Sequence, residues 1–157
     1  MFHISPQVLA QAITLASRMS IQDKEKIGDE IFKAQPNLLG SVLALHRMGV
    51  SLVKIEFALN ILLVIFLAMK ASGHTWPVIS MDDQDRQLKR LVGSIKFGTD
   101  LDEHLQQETN QQYIDTHAEK YLLAYVLDEC ATWLKTIEAE ESDKYVLLAV
   151  ANLANCI

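Results

Sequence analysis

The residues best placed to do chemistry lie between His117 and Thr132. His117, Tyr121, Asp128 and Thr132 recur at steps of four, seven and four, which return near one face of a helix. Tyr125 borders this stripe, and Glu129 adjoins Tyr125 and Trp133. A carboxyl held against aromatic rings is desolvated, and the resulting rise in pKa suits it to acid or base work. His117, Tyr121, Tyr125, Asp128 and Glu129 therefore form the candidate ligand pocket of a small enzyme or ligand-binding bundle. The same residues also fit the border between a buried and a wet helix face, where a tyrosine keeps its ring inside and its hydroxyl out.

Other chemistry has less to build on. The histidines His3, His46, His74, His104 and His117 form no His-x-x-x-His pair, and no Glu-x-x-His occurs, so no metal site is expected. Helical nucleotide hydrolases use paired Glu-x-x-Glu and Glu-x-x-Asp sets on facing helices. Here Glu138-Ala-Glu-Glu141 and Asp82-Asp-Gln-Asp85 fall at helix ends, where acids complement the dipole or face solvent. There is no Gly-x-Ser-x-Gly and no glycine-rich phosphate loop, and no cofactor is expected. Cys130 and Cys156 have neither a metal spacing nor a neighbouring base.

Residues 41–60 carry a corner. Gly49-Val50-Ser51 is followed by Ile55 and by Leu59-Asn60, with helical sequence on both sides. This resembles the turn and second helix of a helix-turn-helix DNA reader of the bacterial repressor type, in which glycine makes the turn and serine caps the recognition helix. The resemblance implies DNA binding through Leu52, Val53, Lys54, Glu56 and Phe57. The chain departs from that pattern. Leu45 stands where a small residue is usual, only one residue of the exposed set is basic, and the helix runs on into an apolar stretch. Any helix–helix corner uses the same glycine and serine.

The elements that must position these residues read as helices. Ser5-Pro6 and Ser20 with Asp23 open the first two, Asn37 can cap a third over Leu38–Met48, and Gly49 ends it. Ser51 opens the fourth helix, which stops at Gly73, and Ser80 with Asp82 and Asp83 opens a fifth that ends at Gly98. Thr99 or Asp100 starts a long helical region toward Ala139, which the polar stretch Gln106–Gln112 can divide. Ser142 with Asp143 opens the last helix. No alternating strand pattern is visible. The expected fold is all-α, a single domain over residues 1–157 with six to eight helices.

The fourth helix holds the core. From Phe57 to Met69 twelve of thirteen residues are apolar, and Asn60 is the exception. Residues 57–71 span about 22 Å at ~1.5 Å per residue, short of the roughly 30 Å of a bilayer core. Lys54, Glu56 and Lys70 flank the run. It reads as the buried central helix of a soluble bundle near residues 52–71, with no membrane partner, and Asn60 as a buried amide that needs a hydrogen-bond partner. Leu123, Leu127, Cys130, Leu134 and Ile137 repeat at 4, 3, 4 and 3 and form a seam expected to pack along that helix.

Charge and hydropathy narrow the class. The chain has 157 residues, half of them apolar, and a net charge of −6. Residues 1–79 carry seven Lys/Arg against five Asp/Glu, and residues 80–157 seven against fifteen. An acidic second half disfavours nucleic acid and anionic membrane as partners. The N-terminus has neither a basic n-region nor a clean apolar h-region, so a signal peptide is not expected, and two thiols without a framework point to a reducing cytoplasm. Trp76, in the loop Gly73–Pro77, is either an exposed interface anchor or a plug over the bundle end. Apolar content in excess of what one small core can bury points to a protein–protein interaction or regulatory module acting as a homodimer.

Overall fold

Helix starts in this chain are fixed by short-range capping. In the computed structural model, which describes residues 2–99 and 102–157, Ser5 Oγ accepts from the Val8 N–H at 3.2 Å, just ahead of Pro6. Ser20 Oγ accepts from the Asp23 N–H at 3.1 Å, and Ser80 Oγ from the Asp83 N–H at 3.0 Å. Each bond satisfies one of the orphan donors of a first turn. Gly49 at φ 86° and Gly73 at φ 72° turn the chain after the helices that precede them, in the left-handed region that a residue without Cβ enters freely.

The result is all-α. Among the described residues the order is α1 (Pro6–Arg18), α2 (Ile21–Ala34), α3 (Pro36–Leu43), a 3₁₀ helix (Ala44–Met48), α4 (Leu52–Ala71), α5 (Met81–Thr99), α6 (Glu103–Thr116), α7 (Lys120–Leu134) and α8 (Asp143–Asn155), with no strand. Eight α-helices match the upper end of the expected number.

α4 is the centre. All nine residues from Ile61 to Met69 are buried, so this half of the helix has no wet face at all. α1, α2, α3 and α8 pack around it. Among the described residues α4 is the one helix long and apolar enough to cross a membrane, and 67% of its apolar window is buried inside the bundle. That burial is what its composition requires, because apolar side chains on every face need cover on every face.

Several local expectations are corrected. Asn60 is exposed, not buried. α4 is covered all round only from Ile61 onward; before that Val53, Glu56 and Asn60 form an exposed stripe at i, i+3 and i+7. Ser51 sits at the N-cap position of α4 but its side chain makes no capping bond. α3 starts at Pro36, one residue before the expected Asn37 cap, and the backbone tightens to 3₁₀ from Ala44. Gln35 and Asn37 instead hold the loop before α5. The Gln35 amide donates to the Pro77 carbonyl at 2.7 Å and accepts from the Ile79 N–H at 2.9 Å, and the Asn37 amide donates to the Ile79 carbonyl at 2.9 Å.

Gln106–Gln112 does not break the long helical region. It lies inside α6, which has no buried residue, so its polarity marks exposure rather than a stop. The break falls at 117–119. Of the two expected starts, Thr99 is the last residue of α5 and Asp100 lies outside the described residues. The α7 seam does not run along α4 either. α8, with Val146, Val150, Leu153 and Ala154 buried, packs against both α4 and α7, and the inward face of α7 is Leu122, Leu123, Val126, Cys130 and Trp133. Leu134, assigned to the seam, is exposed. α7 meets α4 through the stacked rings of Trp133 and Phe57, with centroids 4.5 Å apart.

Ile65 is fully buried, whereas Asn60 is not, so their alanine variants should separate. Ile65→Ala is expected to lose about 2–5 kcal/mol of stability in urea denaturation, and Asn60→Ala to stay within about 0.5 kcal/mol of the parent. Equal losses would contradict the core described here.

Candidate functional site

The stripe that suggested a pocket is divided by the break before α7. His117 caps the end of α6, while Tyr121, Tyr125, Asp128 and Glu129 lie on α7. Asp128 and Thr132 are exposed; Tyr121, Tyr125 and Glu129 are half-buried. Tyr121 packs its ring edge to face with Phe2, centroids 4.9 Å apart. Burial, and secondarily the Glu129 charge, pushes the Tyr125 hydroxyl up to about 12. The same two causes, in the same order, push the Cys130 thiol up to about 11. Burial, then the Asp83 charge, pushes Cys156 up to about 11. Neither thiol is poised to be a thiolate nucleophile at neutral pH.

Three polar centres depend on contacts that the sequence pattern alone does not give. The first is Lys54. It is buried at the start of α4, and its Nζ donates to Asp143 Oδ1 at 2.6 Å, Glu140 Oε2 at 2.7 Å and the Glu138 carbonyl at 3.0 Å. Asp143 Oδ2 in turn accepts from the Glu140 N–H at 2.8 Å. The ammonium therefore ties the entry of α4 to the loop between α7 and α8. Its bonds with Asp143 and then Glu140 raise the Lys54 pKa, and the bond from Lys54, followed by the Glu140 N–H, lowers that of Asp143.

The second centre is Glu119, which is fully buried. Its carboxylate accepts from the His3 and Ile4 N–H groups at 2.8 and 3.0 Å and lies 2.9 Å from His3 Nδ1. The N-terminal segment is thereby fastened over the α6–α7 corner. The His3 ring stacks on His74, centroids 4.0 Å apart, and Trp76 meets both rings edge-on. Trp76 is half-buried, and its Nε1–H donates to the Met69 carbonyl at 3.0 Å and to Ser72 Oγ at 3.2 Å. It closes the end of α4 as a plug, not as an exposed anchor. The Ser72 hydroxyl donates to the Met69 carbonyl at 2.6 Å, so it is engaged in the turn.

The third is a polar cleft of about 320 Å³ at the meeting of α5, α6 and α8, lined by Arg90, Ser94, Tyr113, Thr116, His117 and Asn155 among others. Tyr113 Oη donates to Asn155 Oδ1 at 2.7 Å. His117 Nδ1 accepts from the Glu119 N–H at 2.9 Å, which places the proton of the neutral ring on Nε2. Burial lowers the His117 pKa, offset in part by Asn155 and by the Glu119 backbone and charge. Among the described residues no group of three or more His, Cys, Asp or Glu side chains is placed to hold a metal ion.

The entry end of α4 is different in character. Leu43, Met48, Leu52, Val53, Leu134 and Tyr145 are all exposed there, with Leu52 at 72% and Val53 at 78%. The Lys54 tie and the Phe57–Trp133 stack bring the starts of α4 and α8 and the end of α7 together at this end. Lys54, the one basic residue of the would-be DNA-reading helix, faces inward, so that helix presents Leu52, Val53 and Glu56 to solvent.

No protein-family model, no curated protein and no solved structure matches this chain.

The Lys54 tie should show in the pH dependence of stability. The Asp143 contribution is present above the ordinary carboxylate range and is lost as pH falls through its lowered pKa; the Lys54 contribution is present below the ordinary ammonium value and is lost as pH rises through its raised pKa. Lys54→Met should therefore lower stability in urea at neutral pH, and the gap from the parent should shrink as pH falls below the ordinary carboxylate range. A gap independent of pH would contradict the tie. Glu119→Gln leaves a buried donor facing donors and is expected to cost about 1–3 kcal/mol, with faster amide exchange at Ile4.

Proposed function

We propose that this chain works through protein–protein contact, as a homodimer whose copies meet at the α4 entry end of the bundle, in a reducing cytoplasm. The observation that carries this reading is the set of large apolar side chains left exposed there: Leu43, Met48, Leu52, Val53, Leu134 and Tyr145. Apolar side chains grouped at one place on a surface mark contact sites, whereas scattered ones need no explanation.

Charge supports a second copy as the occupant. Arg47 and Lys135, of one sign, and Glu56 and Glu138, of the other, are exposed at this end, and none of them is in an ion pair among the described residues. A two-fold axis lets the cations of each copy face the acids of the other. Surface area supports it too. The chain exposes 9624 Å², against about 8,000 Å² for a compact monomer of its mass. Two free thiols support the cytoplasmic assignment. The DNA-binding alternative loses support because the face of Leu52, Val53 and Glu56 offers phosphate no cation, Lys54 being buried.

Sedimentation equilibrium tests the dimer. The parent is expected as a dimer above about 10 μM, and Leu52→Asp and Val53→Asp as monomers. Both substitutions fall in the first turn of α4, where an acid complements the helix dipole, so the thermal midpoint of the monomer should hold. A parent that is monomeric at about 100 μM, or a dimer unaffected by both variants, would overturn the reading.

A further inference from the structure

We infer that the cleft between α5, α6 and α8 is a binding site for a compact oxyanion, a phosphate or a small carboxylate. Its lining supplies hydrogen-bond donors and one full positive charge. Among the described residues Arg90 has no acidic partner and no acidic side chain lines the cleft. A guanidinium offers a planar fork that matches carboxylate and phosphate oxygens two at a time.

The remaining groups are oriented by their neighbours. Asn155 Oδ1 is occupied by the Tyr113 hydroxyl, which turns the Asn155 Nδ2 donors away from that bond. Ser94, one helical turn beyond Arg90 on α5, adds a hydroxyl. The carbonyl ends of α6 and α8, which would otherwise repel an anion, are partly covered. Thr116 Oγ1 donates to the Gln112 carbonyl at 2.8 Å, the His117 N–H to Ile114 at 3.1 Å, and the Ile157 N–H to Ala154 at 3.2 Å. The volume, about 320 Å³, suits a small ligand rather than a polymer.

His117 reports occupancy. Burial disfavours its charged form, against the weaker opposing pull of Asn155 and of the Glu119 backbone and charge. An anion beside it acts against burial and favours the protonated ring. Binding should therefore strengthen as pH falls through the His117 titration, and the imidazole should titrate at higher pH when the site is filled.

The test is an amide and imidazole NMR titration of the isotope-labelled chain with sodium phosphate, and in parallel with sodium acetate, at ionic strength held constant with sodium chloride. The expected result is saturable shifts centred on Ser94 and His117–Glu119 with at least one of the two anions, together with an upward move of the His117 titration. The anion that saturates identifies the class. Arg90 is exposed, so Arg90→Gln should fold as the parent does and weaken binding by about tenfold or more. Shifts that stay linear to about 20 mM with both anions, or an unchanged affinity in Arg90→Gln, would overturn the assignment.

Discussion

Everything in this fold follows from a helix that no single neighbour can cover. From Ile61 to Met69 α4 is apolar on all sides, and a segment like that is stable in water only when helices surround it. α1, α2, α3 and α8 do so. The cost is geometric. Helices that close around the second half of α4 leave its entry turn projecting, with Leu52 and Val53 in solvent and a single cation, Lys54, turned inward. A buried ammonium needs acids, and Glu140, in the loop that leads into α8, and Asp143, the first residue of α8, supply them. The central apolar helix thus determines where the polar tie must be, and the tie brings the ends of α4, α7 and α8 into one surface.

That arrangement separates two regions of different chemistry. The α4 entry end offers apolar side chains with exposed charges of both signs. The cleft at His117 offers donors and the Arg90 cation. The two are carried by different helices, α3, α4 and the α7–α8 junction in one case and α5, α6 and the last turn of α8 in the other. α8 is the helix common to both. His117 Nδ1, Glu119 and His3 add a further link, from the cleft wall to the N-terminal segment and the Trp76 plug.

Much of the helical frame was legible because capping and periodicity are local. Ser5-Pro6, Ser20, Gly49 and Gly73 act on their own few residues, and each does in the structure what its type dictates. What stayed hidden depends on contacts distant in sequence. Asn60 lies in an apolar run, and only the reach of the covering helices decides that it is wet. Glu119 sits in an unremarkable polar stretch, and its burial depends on backbone amides more than a hundred positions away. A lone lysine on an apolar helix face was the available signal for Lys54, but its partners lie over eighty residues on. The His117 stripe misled for a related reason. Helical spacing assumes one continuous helix, and the chain turns at 117–119.

The claim that the α4 entry is a contact surface while its second half is the core can be tested on the unmodified chain. Hydrogen exchange followed residue by residue, at low and at high protein concentration, reads both parts at once. The amides of 61–69 should be the slowest in the molecule at either concentration. Those of the corner from Leu43 to Phe57 should slow as concentration rises, with those near Leu134 and Tyr145. Exchange at the corner that does not change with concentration, or fast exchange within 61–69, would contradict the account.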